Sequence, residues 1–349
     1  MSRELKFWEA IREATDLCMA RDPAVHIMGL GVPDPKGIFG TTLGLVDKYG
    51  PERVSDLPTS ENGMTGVAIG CALSGMRPIL THQRLDFALL SMEQIVNQAA
   101  KWHYMFGGRM RVPLVIRMLI GRGWGQGPQH SHSLQAWFAH VPGLKVLMPA
   151  TPYDAKGLLI SAIEDDNPVM VLEHRWLYNI RGPVPEGIYR VPIGEARVVR
   201  EGTDLTIVSV SYMTLEALRA ADLLARHGIN AEVIDVRSLR PWDEARVLES
   251  VRRTGRLLVT DHAWKTLGFS AEVVASVAEA GIPLKSPPRR VCLPDHATPT
   301  SQALAAPYYP RAVDIEAAAA AMFGIDPPET HEPPAIPLDI PDMSFTGPF

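Results

Sequence analysis

The sequence predicts an α/β fold of two parallel-sheet domains in series, on three observations. Short β-rich runs alternate with helical patterns along the 349 residues, the pattern of parallel strands joined by crossover helices. One stretch, "RGPVPEGIYRVPIGEA" at 181–196, is rich in proline and glycine with weak periodicity and reads as a linker. The length, with 46% apolar residues, suits two cores at about 150 residues per domain. The expected boundaries are 1–180 for the first domain, 181–198 for the linker, 199–323 for the second domain and 324–349 for a proline-rich C-terminal arm.

The opening "MSRELKFWEAIREATDLCMA" sets Leu5, Trp8, Ile11 and Cys18 at helical spacing among glutamates. It predicts an amphipathic helix, not a signal peptide. Strands are expected at 24–29, 53–56, 78–82, 112–118, 144–148 and 168–173, with helices at 86–104 and 152–165. A further helix opens at Glu61 in "LPTSENGMTGVAIGCALSG", 57–75. It carries Gly63, Gly66 and Gly70, although each interior glycine costs about 1 kcal/mol against alanine. Something must come close to that backbone. The second series has strands at 205–211, 231–236, 256–261 and 289–293, and a helix at 214–227 ended by Gly228. Beyond Gly324 the prolines and weak patterning give no core. The apolar residues among those prolines (Ile336, Leu338, Ile340, Met343, Phe345 and Phe349) predict an arm that packs on a surface.

A formal charge of −5 with mixed signs gives no footprint for nucleic acid or an anionic membrane. No apolar run is long enough to span a bilayer. Cys18, Cys71 and Cys292 lie far apart without metal spacing, as small core residues of a reducing, cytoplasmic compartment.

Ligands of open parallel sheets bind beyond the carboxyl ends of strands. Three segments fall there: Glu61 after the strand at 53–56, "THQRLDFALL" (81–90), and "IGRGWGQGPQHSHS" (120–133). If their strands are neighbours, the three share one crevice. Each also has a bland reading. Glu61 could simply favour a helix N-terminus, Phe87 could be a core aromatic, and His130 and His132 could be solvated loop histidines, while His140 reads as structural. The glycines of 121–128 do not match a dinucleotide fingerprint. The H-x-H at 130–132 lacks the further ligands that a catalytic zinc needs.

Taken as an ordered set, "SENGMTGVAIGCAL", "MRPIL", "LDFALLSMEQIVNQAAKWHYMFGG", "VPLVIR", "QHSHSLQAWFAHVPGLKVLMPATPYDAKGLL", "AIEDDNPVMVLEHRWLY" and "AEVIDVRSLRPWDEARVLESVRRTGRLLVTD" resemble the β subunit of thiamine-diphosphate-dependent 2-oxoacid dehydrogenases. These are the first components of the pyruvate, branched-chain and acetoin dehydrogenase complexes. The resemblance runs from about residue 4 to 323. It implies a pyrimidine-type, thiamine-diphosphate-binding parallel-sheet domain followed by a transketolase C-terminal-like α/β domain.

By the same resemblance, Glu61 hydrogen-bonds the pyrimidine ring nitrogen of the cofactor. A carboxylate shut away from water can share a proton there. Phe87 packs on the aminopyrimidine, Gln83 lines its pocket, and His130 faces substrate and the incoming acyl acceptor. Leu114, Ala162, Asp165 and Asn167 map onto a potassium site built largely from backbone carbonyls. No Gly-Asp-Gly occurs in the chain, so the Mg2+ that holds the diphosphate falls to a partner α subunit, in a heterotetramer with shared active sites. The acceptor would be the lipoyl group of an acyltransferase core. Leu30, Thr81 and Gln98 replace usual acids and Arg84 a usual apolar residue, which keeps two alternatives open: half of a carboligase or transketolase-type enzyme, and a non-catalytic scaffold subunit.

Overall fold

A computed structural model describes residues 3–123 and 125–326. The described chain divides into two compact units, one of 3–121 and 137–193, the other of 122–136 and 194–326. The greater part of the predicted arm lies outside the described residues.

The first unit opens with strand β1 (Glu4–Lys6) and helix α1 (Phe7–Arg21). The helix therefore starts later than the sequence predicts. The Glu9 carboxylate accepts the Lys6 N–H at 2.6 Å and caps the helix there. β1 pairs antiparallel with β8 (Arg181–Pro183), so the first residues of the stretch read as a linker form a strand. Between them come β2 (Val25–Met28), α2 (Leu45–Tyr49), β3 (Val54–Ser55), α3 (Glu61–Leu73), β4 (Arg77–His82), α4 (Leu85–Ala88), α5 (Trp102–Met105), β5 (Val115–Ile120), α6 (Gln135–His140), β6 (Lys145–Leu147), α7 (Pro152–Glu164) and β7 (Val169–His174). Six strands run parallel in the order β6-β7-β5-β4-β2-β3. β5 and β7 are buried along their whole length, as strands covered on both faces are.

That buried centre holds one ion pair. Arg117 donates to both Glu173 oxygens at 2.7 and 2.9 Å, and the Tyr178 hydroxyl donates to Glu173 at 2.5 Å. Arg117 and Glu173 are both fully buried. Losing one partner would strand a buried charge, typically at a cost of about 3–5 kcal/mol.

The single helix expected over 86–104 is broken. A 3₁₀ turn at Leu89–Ser91 and a π-helical turn at Gln94–Ala99 separate α4 from α5. A tertiary fit accompanies the irregularity: a Cβ on Gly66 of α3 would meet the Gln94 carboxamide oxygen at 3.2 Å. Gly66 leaves room for the π turn to lie close.

The second unit contains β9 (Arg197–Arg200), β10 (Leu205–Ser209), α8 (Met213–Arg226), β11 (Ala231–Asp235), β12 (Ser238–Arg240), α9 (Glu244–Thr254), β13 (Leu257–Trp264), α10 (Phe269–Glu279), β14 (Arg289–Leu293), α11 (Gln302–Ala305) and α12 (Ala312–Ala320). Its sheet runs β14-β13-β10-β11-β9, parallel except for β9 at the edge. No helix among the described residues is long and apolar enough to cross a membrane.

Candidate active site

A pocket of about 30 Å³ opens at the carboxyl ends of β2, β3 and β4. Among its lining residues are Leu30, Glu61, His82, Gln83 and Phe87. The structure thus gathers three of the four residues read as catalytic or cofactor-binding into one place.

Backbone fit and three short bonds build this wall. A Cβ on Gly29 would lie 2.4 Å from the Thr81 carbonyl oxygen, so only glycine lets the loop after β2 meet the end of β4. The Gln83 side-chain amide donates to the Leu30 carbonyl at 3.0 Å. Asp56 accepts from the Gly31 and Leu57 N–H groups, both at 2.9 Å, and so joins the loops after β2 and β3. Glu61 then opens α3 behind Ser60. Its backbone carbonyl accepts the Thr65 hydroxyl at 2.7 Å.

The Glu61 carboxylate is half-buried rather than enclosed, and it makes no hydrogen bond or ion pair among the described residues. Phe87 is half-buried in α4 and lines the pocket, so it is not a plain core aromatic. Of the helix glycines, Gly63 and Gly70 face outward. Gly70 has nothing within 4 Å of its Cβ position, and Val67 between them is 49% exposed. α3 therefore carries a bare outer stripe.

The pocket is lined from the loops after β2, β3 and β4, while 122–136 belongs to the second unit. Within that unit, Arg122 donates to the Gln126 and Thr300 carbonyls at 3.1 and 2.7 Å. A Cβ on Gly127 would meet the Thr300 hydroxyl at 2.2 Å. These contacts draw the loop to its unit. His130 lies exposed in a 3₁₀ turn, Pro128–His130. The His132 ring meets Trp264 edge-on at 5.8 Å.

Sequence reasoning missed His82. It is 7% exposed in the pocket wall, and its Nε2 has no hydrogen-bond partner among the described residues. Burial pushes its pKa down to about 4, because desolvation penalises the imidazolium. It is a neutral imidazole at neutral pH. The polar "THQR" that ends an otherwise apolar strand was the available signal.

Arg84, read as a departure from an apolar residue, is buried; it donates to the Gly121 carbonyl at 2.8 Å and lies over the Phe39 ring. It ties the loop after β4 to the end of β5. The residues read as a cation site are each engaged within the first unit. The Leu114 carbonyl accepts the Val169 N–H at 2.9 Å, and the Ala162 carbonyl accepts the Asp165 N–H at 3.3 Å. Asp165 accepts the Asn167 N–H at 2.9 Å, and its carboxylate pairs with Lys145. The Arg77 guanidinium donates to the Asp165 carbonyl at 3.0 Å, so one fixed cation already sits there. Among the described residues no group of three or more His, Cys, Asp or Glu is arranged to hold a metal ion.

Comparison with known proteins places the fold and the family. Residues 3–181 match the transketolase pyrimidine-binding domain, and 194–315 match the transketolase C-terminal domain. The chain is 46% identical over 330 residues to the acetoin:2,6-dichlorophenolindophenol oxidoreductase subunit beta of Cupriavidus necator, covering 91% of this chain and 97% of the relative. It is 42% identical over 323 residues to the mitochondrial pyruvate dehydrogenase E1 component subunit beta-2 of Oryza sativa subsp. japonica, covering 91% and 86%. A solved structure described as a split gene transketolase, inactive beta4 tetramer, superposes with a TM-score of 0.74 at 25% identity, covering 93% of this chain and 99% of that one.

Proposed function

The chain belongs to the family of β subunits of thiamine-diphosphate-dependent 2-oxoacid dehydrogenases, and from that premise we propose that its pocket seats the cofactor's aminopyrimidine in an active site completed by a separate α subunit. The observation that carries this reading is the meeting of Glu61, Gln83 and Phe87 in one pocket. The residues fit the ring: an unengaged carboxylate, an aromatic face and polar edges. At about 30 Å³ the pocket is an order of magnitude smaller than the ~300–1,000 Å³ of a complete small-molecule site. One chain supplies one wall.

When bound, thiamine diphosphate supplies a thiazolium carbon that adds to a keto carbon and an electron sink for the bond broken beside it. Glu61 holds and shares a proton at the pyrimidine nitrogen, more firmly once a partner excludes water from its half-buried carboxylate. Phe87 fixes the ring plane, and Gln83, held to Leu30, fixes the pocket edge. His130, on its exposed turn, stabilises charge or passes a proton as the acyl group moves to its acceptor. The outward stripe of Gly63, Val67 and Gly70 lets the partner's backbone come close. That answers why α3 tolerates its glycines.

Mg2+ would be held by the α subunit, since this chain has no Gly-Asp-Gly. Potassium would be held at Leu114, Ala162, Asp165 and Asn167, where the Asp165 carbonyl also accepts from Arg77. The substrate is a small 2-oxoacid and the natural acceptor a lipoyl group, in a cytoplasmic heterotetramer.

Calorimetry tests the reading. Thiamine diphosphate with Mg2+ should bind the chain co-assembled with its α subunit, and the chain alone weakly or not at all. One-to-one micromolar binding to the chain alone would overturn the shared site. A screen of 2-oxoacids and of acetoin with an artificial electron acceptor then identifies the substrate.

A further inference from the structure

Gln135 and Asp261 meet inside the second unit, 0% and 1% exposed. The Gln135 Nε2 donates to Asp261 Oδ1 at 2.8 Å. The other oxygen of each, Gln135 Oε1 and Asp261 Oδ2, is buried without a hydrogen-bond partner. Two orphaned acceptors in one buried pair are costly, about 1–3 kcal/mol each. An ionised Asp261 could relieve neither. A single proton on Oδ2 relieves both, because Oδ2–H can donate to Oε1 while Nε2–H donates to Oδ1. A carboxylic acid and a primary amide are planar forks of matching size, and this ring is their natural pairing.

We propose that Asp261 is a positioning residue, held as the neutral acid, which closes a two-hydrogen-bond ring with the Gln135 amide and so fixes the loop that carries His130. The importance of that loop for the reaction rests on the reading of His130 given above. The ring itself does not.

The surroundings favour the neutral acid. Burial pushes the Asp261 carboxyl up to about 7, against the Gln135 bond and the His262 backbone N–H, which pull it down. From β14, the register partner of Asp261 is Cys292. Burial, with a lesser contribution from Asp261, pushes that thiol up to about 11, so it carries no charge at neutral pH. Behind it, the Cys292 thiol bonds the Ser270 hydroxyl of α10 at 3.3 Å. β10 brings Ser209 opposite Thr260. From the start of α8, Tyr212 lies against the His262 ring at 5.4 Å, while Glu216 is engaged by Tyr212, Arg219 and the Ala312 N–H. On the loop side, His132 faces Trp264. No charged side chain is among the causes of the Asp261 shift.

Hydrogen exchange of peptides covering 122–136, in the full chain assembled with its α subunit, tests the ring between pH 6 and 9. Rates are corrected for the intrinsic pH dependence of exchange. Wild-type protection should fall roughly three- to tenfold across that range, the worth of about one net hydrogen bond. Asp261→Asn can accept from Nε2 and donate to Oε1 at every pH, so it should stay protected and flat. Asp261→Leu should be unprotected throughout. A flat wild type, or an Asn variant that tracks the wild type, overturns the proposal. Infrared spectra of the wild type give an independent reading should a variant fail to assemble. A buried protonated-carboxyl band present at pH 6 and lost by pH 9 supports the ring, and its absence at pH 6 overturns it. A normally active His130→Ala would remove the catalytic reading of His130 and leave the ring standing, so the two failures are distinguishable.

Discussion

His82 and Asp261 are buried to nearly the same degree, one at the end of β4 and the other where the β13–β14 ladder shifts register. Burial disfavours the charged form of each, which moves a histidine down, to about 4, and an aspartic acid up, to about 7. Between about pH 4 and 7 both are neutral groups inside the protein. They differ in what they face. Asp261 has an amide partner 2.8 Å away and closes on it. His82 lines an open pocket, and its Nε2 meets no partner among the described residues. A buried polar atom that faces a pocket without a partner among the described residues can serve an outside group, and one held by a partner serves as a fastening.

The largest expected effect breaks the open side of this comparison. Glu61→Gln should leave assembly intact and lower turnover by ~10²–10⁴, the usual loss for a removed acid–base group. The amide keeps the shape but cannot take up the proton. Near-normal turnover, measured with an artificial electron acceptor, would reduce Glu61 to an acid at a helix start.

His82→Leu sharpens the same side. In the chain alone it should raise the melting temperature, because it removes a buried orphan worth about 1–3 kcal/mol. In the assembled enzyme it should weaken thiamine diphosphate binding, read by calorimetry. A variant that is less stable and binds normally would make His82 a packing residue.

His130→Ala should separate two half-reactions. Transfer to the natural acceptor should fall more than decarboxylation followed with an artificial one, by up to the ~10²–10⁴-fold of a lost proton donor. Equal losses would place His130 in the early chemistry instead.

Much of this was legible in the sequence, for a physical reason. Strands covered on both faces read as apolar runs, so β4, β5, β7, β10, β11 and β13 stand out, and Glu61 with its glycines marks the start of α3. Glu61, Gln83 and Phe87 came from the order of motifs rather than from any single one. What escaped depends on contacts distant in sequence. The break in 86–104 goes with Gly66 admitting Gln94. The loop 122–136 follows Arg122 to Thr300. β1 finds its partner 177 residues on, at Arg181–Pro183. Asp261 finds Gln135 at a separation of 126. Local pattern carries no trace of such pairs.

The smallest effect is a slope, and it tests both sides together. The folded-state pKa of His82 is depressed from an ordinary 6.5 to about 4. Between those values the unfolded chain binds the extra proton, so the His82 contribution makes stability rise with pH. Asp261 is raised from an ordinary 3.8 to about 7. Across that window the folded chain holds the extra proton, so its contribution makes stability fall as pH rises and is lost by about pH 7. From about pH 4 to 6.5 the two oppose one another, each by at most about 1.4 kcal/mol per pH unit. Relative to wild type, His82→Leu should tilt the stability profile downward with rising pH in this window. Asp261→Asn should tilt it upward. Denaturant midpoints at half-unit steps of pH measure both tilts. Two variants that leave the slope unchanged would mean that neither group stays neutral when buried, and a tilt of the wrong sign at either would reverse its assignment as pocket wall or fastening.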